Sequence, residues 1–164
     1  MKERKIEIPI KVYAYNELSD ADRQLIDKAK KMTYHSYAPY SRFSVGAAVL
    51  LANGETVCGS NQENAASPSG LCAERTALFF ANSHYPDIAV TAIAIAARNE
   101  KGEFVEQPVS PCGTCRQVML ESQSRGRRHM RILLYGSKCT YELDKVEDLL
   151  PLCFTARNME TSGL

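Results

Sequence analysis

The sequence predicts a three-layer α/β/α domain built on a mixed sheet of about five strands. Segments with helical periodicity alternate with short apolar segments that are typical of strands. An Asn53-Gly54 pair between two apolar runs indicates a tight β-hairpin. The chain has 164 residues, of which 45% are hydrophobic, and this is enough for one core. We therefore expect an N-terminal extension or edge strand over residues 1–16 and a single domain over residues 17–164.

The individual elements follow from local patterns. Isoleucine alternates with other residues near the N-terminus and predicts an extended strand, which Pro9 restricts to a sheet edge or an arm. Ser19 followed by acidic residues is typical of a helix start. In chain order we expect a strand over 5–15, a helix over 20–33, a hairpin of 45–51 and 56–59, a helix over 72–81, a strand over 88–97, a helix over 111–123, strands over 132–135 and 140–143, and a short helix over 146–150.

Composition argues against several classes of function. A net charge of +1 gives no electrostatic basis for binding a nucleic acid polymer or an anionic membrane. The longest apolar segment, 88–97, is too short to span a bilayer, and no signal peptide is visible. Six cysteines without a secretory signal indicate reduced thiols, for which metal binding or catalysis is more common than disulfide formation. We expect a cytoplasmic protein with no membrane partner.

The strongest chemical signal is a set of cysteines beside a glutamate. Cys72-Ala73-Glu74 is followed later by Pro111-Cys112-Gly113-Thr114-Cys115. Three thiolates suit a zinc ion that keeps a fourth position open for water, and Glu74 is placed to move the protons of that water. The alternative is a closed structural zinc site with His129 or Cys139 as fourth ligand, in a non-catalytic zinc-stabilised module. That alternative leaves Glu74 unexplained.

The flanking segments resemble the zinc-dependent cytidine deaminases of the small, three-cysteine, homotetrameric type. The resemblance covers residues 38–154 and includes the family's zinc signature. It implies one Zn²⁺ per subunit and a hydrolase that acts on a C–N bond of cytidine and 2′-deoxycytidine, in pyrimidine salvage. The segments that carry the resemblance are Phe43-Ser44-Val45-Gly46-Ala47-Ala48, Asn61-Gln62-Glu63-Asn64-Ala65, Cys72-Ala73-Glu74-Arg75-Thr76-Ala77 and Pro111-Cys112-Gly113-Thr114-Cys115-Arg116-Gln117.

The same resemblance implies roles for further residues. Asn61 and Glu63 lie two apart on an extended segment, so their side chains share one side, and they are expected to bind the ribose 3′-hydroxyl. The remaining expected roles are a hydrogen bond to the base carbonyl from the backbone of Ala73, packing of Phe43 against the pyrimidine ring, a contribution of Phe154 across a subunit interface, and hydrogen bonds to the zinc thiolates from Arg75 and Gln117.

One residue departs from the family pattern, and two related activities compete with this interpretation. Ser67 stands where many relatives carry a tyrosine, which puts the contact to the sugar's 5′ end in doubt. A deaminase of the blasticidin S type shares both cysteine motifs, but Arg75-Thr76-Ala77 and the Asn61–Glu63 pair favour a nucleoside enzyme. A polynucleotide deaminase usually has histidine as its first ligand and a basic face, which Cys72 and the near-neutral charge disfavour. The sequence does not distinguish cytidine from 2′-deoxycytidine.

Overall fold

A computed structural model describes residues 1–159 and contains six strands and three α-helices in that part of the chain. Short 3₁₀ turns connect several of them, including Ser67–Ser69 and Val146–Leu149. In chain order the elements are β1 (Lys11–Tyr13), α1 (Asp20–Met32), β2 (Ser44–Leu51), β3 (Thr56–Ser60), α2 (Ala73–His84), β4 (Val90–Arg98), α3 (Gly113–Gly126), β5 (Arg131–Tyr135) and β6 (Thr140–Leu143).

The six strands form one mixed sheet in the order β1-β6-β5-β4-β2-β3. Strands β4 and β5 are parallel, and the other neighbouring pairs are antiparallel. The β2–β3 hairpin turns at Asn53-Gly54, where Gly54 has a φ of 88° that favours glycine. The predicted hairpin and the predicted mixed sheet are confirmed.

Helices cover both faces of the sheet, which confirms the three-layer prediction. Helix α1 packs on one face, where Leu25 and Ile26 meet a row of alanines from the central strands. Helices α2 and α3 pack on the other face, where Leu78 and Met119 meet the isoleucines and valines of the same strands. The small side chains beneath α1 allow that helix to approach the sheet closely.

The N-terminal strand is shorter than predicted, and the strand count is higher. Only Lys11–Tyr13 pairs, antiparallel to β6 with Lys11 opposite Glu142, while residues 1–10 carry no secondary structure. The strand predicted over residues 5–15 is therefore wrong for residues 5–10 and confirmed at Lys11–Tyr13. Pro9, which cannot donate to a ladder, precedes the first paired residues. This short edge strand makes six strands where about five were expected. Similarly, the predicted helix over 146–150 is a 3₁₀ turn.

The described part of the chain ends at residue 159. Residues 160–164 of the predicted domain over 17–164 lie outside the described residues, and the division at residue 16 stays a prediction. Across residues 1–159, no helix combines the length and the hydrophobicity that crossing a membrane requires.

A close contact between β3 and α2 fixes where the second helix begins. A Cβ atom added to Gly59 would lie 2.6 Å from the backbone nitrogen of Ala77 and 2.7 Å from the carbonyl oxygen of Ala73. Only glycine allows the backbone of β3 to approach the first turns of α2 this closely. The start of α2 is thus held directly against the sheet.

Candidate active site

Three cysteine thiols meet where two helices begin. The Sγ atoms of Cys72, Cys112 and Cys115 all lie within 4.8 Å of one another. Cys72 is the N-cap of α2 and Cys112 is the N-cap of α3, both with extended backbone, and Cys115 follows in the first turn of α3. The expectation that both cysteine motifs open a helix is therefore confirmed.

This donor set fits zinc. Tetrahedral coordination with Zn–S bonds of about 2.3 Å places sulfur atoms roughly 3.8 Å apart, which is compatible with three Sγ atoms that lie within 4.8 Å of one another. Helix N-termini favour negative charge, which suits thiolate ligands at this point of the fold. Within residues 1–159, neither His129 nor Cys139 joins the three-cysteine group. The cluster thus offers three protein ligands, the number typical of catalytic zinc sites, in which water takes the fourth position.

Arg75 supplies positive charge to the cluster. Its Nη2 donates to Cys72 Sγ over 3.3 Å, the contact that the family resemblance implies. A hydrogen bond from Cys115, together with the hydrogen bond and charge of Arg75, lowers the pKa of Cys72 to about 5 against the opposing effect of burial. The same hydrogen bond and burial raise the pKa of Cys115. A divalent cation favours loss of both protons, because zinc binds cysteine as thiolate.

Glu74 is a buried carboxyl group at the start of α2. Its residue is only 5% exposed, and this burial raises the pKa of Glu74 above its ordinary value of 4.5. Negative charge on Cys72 raises it as well. A carboxyl group with a raised pKa, two residues from a metal ligand, is suited to accept and return protons. Ala73, between the two, is completely buried.

A cleft of about 560 Å³ opens beside the cluster. Its lining includes Asn61, Glu63 and Ser67 together with Cys72 and Arg75. Both predicted sugar-binding residues therefore border the same cleft as one thiol of the cluster. The remaining lining residues are Tyr40, Ser41, Gln62, Asn64, Ala65, Gly70 and Leu71.

Asn61 and Glu63 are each held by backbone groups of residues 40–45, which lead into β2. Asn61 accepts a hydrogen bond from the backbone N–H of Val45 at 2.8 Å and donates to the carbonyl of Phe43 at 2.9 Å. Glu63 Oε2 accepts from the N–H groups of Tyr40 and Ser41 at 2.8 and 3.2 Å. The hydrogen bond to Ser41 lowers the pKa of Glu63, although burial opposes this slightly, so the carboxylate is ionised at neutral pH. Both side chains keep free hydrogen-bonding positions for a ligand.

Seven predicted site residues are not among the lining residues of this cleft: Phe43, Ala73, Glu74, Cys112, Cys115, Gln117 and Phe154. Phe43 is half-buried and directly precedes β2. Gln117 donates from Nε2 to the carbonyl oxygen of Phe154 at 2.9 Å, so its partner here differs from the thiolates that the resemblance implies. The Phe154 residue is 59% exposed, which leaves its ring available to a neighbouring molecule.

Sequence reasoning missed two sets of contacts near the site. The backbone N–H groups of Tyr40 and Ser41 hold Glu63, and the preceding Ala38-Pro39 turn was the available signal for a loop at this point. Arg116 donates to the carbonyls of Pro111 and Leu149, both at 2.9 Å, and so anchors the start of α3 to the C-terminal segment. No pattern in the sequence indicates this long-range contact.

Comparison with known proteins agrees with the geometry. The family model described as the cytidine and deoxycytidylate deaminase zinc-binding region matches residues 19–128. The chain is 42% identical over 139 residues to a cytidine deaminase of Halalkalibacterium halodurans, covering 84% of this chain and 98% of that protein. It is 39% identical over 136 residues to a cytidine deaminase of Sporosarcina psychrophila, covering 83% and 93% of the two chains.

Solved structures show the same fold. A crystal structure of cytidine deaminase from Burkholderia pseudomallei superposes with a TM-score of 0.69 at 35% identity, over 84% of this chain and 100% of the other. The cytidine deaminase of Mycobacterium tuberculosis gives a TM-score of 0.64 at 31% identity, over 84% and 98%. The chain belongs to the cytidine and deoxycytidylate deaminase family, and its three-cysteine cluster lies within the matched zinc-binding region.

Proposed function

We infer that this protein is a zinc-dependent cytidine deaminase, which hydrolyses cytidine and 2′-deoxycytidine to uridine and 2′-deoxyuridine and releases ammonia. The observation that carries this conclusion is the buried Glu74 beside a cluster of three thiols. A structural zinc site needs no such carboxyl group. The relatives named cytidine deaminase, at up to 42% identity over most of the chain, support the same activity.

Cys72, Cys112 and Cys115 hold the zinc ion. When bound, zinc supplies a water molecule of lowered pKa as the nucleophile. Arg75, which donates to Cys72 Sγ, offsets part of the negative charge of three thiolates, and Gln117 is the second proposed donor to these thiolates. Donors of this kind orient the ligands and keep the metal electrophilic.

Glu74 acts as the general base and general acid of the reaction. It accepts a proton from the attacking water and delivers it to N3 of cytosine while the water oxygen bonds to C4. It then transfers the second proton to the amino group, the C4–N bond breaks, and ammonia leaves. Cytidine and one water thus give uridine and one ammonia. The raised pKa of Glu74 brings it closer to neutral pH, where a group can both accept and donate protons efficiently.

The remaining predicted site residues bind the nucleoside. Asn61 and Glu63 bind the 3′-hydroxyl with the hydrogen-bonding positions that the backbone contacts leave free. The buried N–H of Ala73 donates to the base carbonyl, and Phe43 packs against the pyrimidine ring. Ser67 lies in the cleft wall with a small side chain, so a tyrosine contact at this position is absent from the proposed complex.

The proposed assembly is a homotetramer with active sites near subunit interfaces, to which Phe154 contributes. Exposed aromatic residues on and beside the ligand helices support an interface there: Phe79 is 47% exposed, Phe80 57% and Phe154 59%. Light scattering at micromolar concentration tests this assembly, and a monomeric mass would refute it. We also propose a cytoplasmic location, a role in pyrimidine salvage, and a catalytic domain spanning residues 17–164.

The decisive experiment follows both products. Purified protein is incubated with cytidine, and uridine and ammonia are quantified before and after zinc removal by a chelator and after zinc is restored. The proposed function predicts equal amounts of both products, loss of activity with the chelator and recovery with zinc. A folded, zinc-loaded protein that releases no ammonia from cytidine would contradict it.

A further inference from the structure

The segment that carries the two sugar-binding residues is held between two neighbours. The N–H of Tyr37 donates to the carbonyl of Asn61 at 3.0 Å, and the N–H of Glu63 donates to the carbonyl of Tyr37 at 2.8 Å. On the other edge, Gln62 and Leu71 exchange two backbone hydrogen bonds of 2.8 Å each. Because Leu71 directly precedes Cys72, this pairing ties the sugar-binding segment to a metal ligand.

The side chain of Gln62 fixes the same segment from its opposite side. Gln62 Nε2 donates to the carbonyl of His35 at 3.1 Å and to the hydroxyl oxygen of Ser60 at 3.0 Å. The Ser60 hydroxyl donates in turn to the carbonyl of His35 at 3.0 Å, and Ser60 is buried at the end of β3. Side chains alternate along an extended segment, so the Gln62 amide, bound to His35 and Ser60, lies on the side opposite to Asn61 and Glu63, while the residue as a whole also borders the cleft.

We propose that Gln62 is a positioning residue for recognition of the sugar 3′-hydroxyl, an inference that rests on the proposed function. Gln62 does not touch the substrate's 3′-hydroxyl itself. It fixes the rotation of the Asn61–Glu63 segment through His35 and Ser60, and its backbone fixes the distance of that segment from Cys72.

The other anchors of this segment show why its rotation needs the Gln62 side chain. The backbone contacts to Tyr37 and Leu71 are isolated bridges rather than a continuous ladder. Two bridges restrain the position of a segment better than its rotation about its own axis. The side-chain contacts on either side of the segment then define that rotation. Removing the two Gln62 side-chain contacts leaves the backbone bridges to Tyr37 and Leu71, and within the described part of the chain the only side-chain contacts that remain on Asn61 and Glu63 are those to the 40–45 segment.

The expected effect falls on substrate binding rather than on the chemical step. Glu74 and the three thiols lie on α2 and α3, outside the 61–63 segment. Loss of two partly exposed hydrogen bonds corresponds to about a 3- to 10-fold change in affinity. KM should therefore rise by roughly this factor while kcat changes less than about twofold, as expected when uniform binding is removed.

The test uses Gln62→Met, which keeps the length of the side chain and removes both donors. Steady-state kinetics are measured with cytidine and with 3′-deoxycytidine, which lacks the recognised hydroxyl, alongside zinc content and Tm. Gln107→Met, at an exposed loop position, is the matched control. Gln62→Lys restores a donor of similar reach, and Gln62→Glu serves if the methionine variant does not fold.

We expect KM for cytidine to rise in Gln62→Met, zinc content to stay unchanged, and KM for 3′-deoxycytidine to change less than twofold. Gln62→Lys should recover part of the loss. An equal rise for both substrates, or no rise for either, would overturn the proposal, as would a loss of zinc that explains the effect. Failure of the proposed function is distinguishable, because the unsubstituted protein and Gln107→Met would then also be inactive on cytidine.

Discussion

The contact between Gly59 and the start of α2 leads to a prediction that can be worked through quantitatively. In Gly59→Ala the new Cβ would lie 2.6 Å from the nitrogen of Ala77, whereas ordinary contacts begin at 3.4 Å. The obstructing atoms belong to helix backbone, including the Ala73 carbonyl at 2.7 Å, so no side-chain rotation relieves the overlap. The first turns of α2 must move away from β3 by about 0.5–1 Å.

This displacement should affect both stability and turnover. Overpacking of a well-packed contact costs about 1–3 kcal/mol, which corresponds to a fall in Tm of roughly 3–10 °C for a domain of this size. Because Cys72 and Glu74 lie at the displaced end of α2, a shift approaching 1 Å should lower kcat by about 10- to 100-fold. Calorimetry and steady-state kinetics at saturating zinc measure the two effects separately.

The control for this variant is Gly113→Ala, at the start of α3. A Cβ added to Gly113 meets no atom within 4 Å, so the substitution should leave Tm unchanged or raise it slightly. If Gly59→Ala retains both the Tm and the kcat of the unsubstituted protein, the inferred contact between β3 and α2 is incorrect.

Three further predictions concern the metal, the cleft and the pH dependence of stability. Arg75→Gln should weaken zinc binding by about 10- to 100-fold in competition with a chromophoric chelator, because Cys72 loses a charged donor; unchanged affinity would refute this. Asn61→Ala removes two hydrogen bonds to the start of β2, so it should lower the free energy of unfolding by about 1–3 kcal/mol and also raise KM. A rise in KM with no loss of stability would show that these hydrogen bonds are not stabilising. Burial opposes ionisation of Asp22, but hydrogen bonds from Arg131 and Ser19 outweigh it and lower the pKa of Asp22 below 3.8. This contribution to stability is present above pH 3.8 and is lost as the pH falls through the lower pKa of Asp22 in the folded state. The free energy of unfolding, measured with urea, should therefore fall less steeply with decreasing pH in Asp22→Asn than in the unsubstituted protein. An unchanged pH dependence would contradict the assignment.

The parts of the fold that local patterns determine were predictable from the sequence. Ser19 is the N-cap of α1, as its position before acidic residues indicated, and its side chain accepts from the N–H of Asp22. Asn53-Gly54 closes the predicted hairpin. Local side-chain and backbone preferences are sufficient for such features, because their partners lie within a few residues.

Features that depend on distant partners were not predictable in the same way. The alternating N-terminal isoleucines suggested a longer strand, but pairing is limited to the three residues beside β6. At the site, the spacing of the cysteines was enough to place the metal ligands together. The partner of Gln117, the carbonyl of Phe154, lies far along the chain and depends on the path of the C-terminal segment.

The most direct test of the proposed chemistry compares the unsubstituted protein with Glu74→Gln, each assayed for bound zinc and for conversion of cytidine to uridine. The amide has the size of the carboxyl group but cannot carry protons between water and substrate. We predict that Glu74→Gln retains one zinc per subunit and a similar Tm, and that its kcat falls by at least about 10²- to 10⁴-fold. A zinc-loaded Glu74→Gln variant that turns over cytidine at the original rate would contradict the assignment of Glu74 and the mechanism built on it.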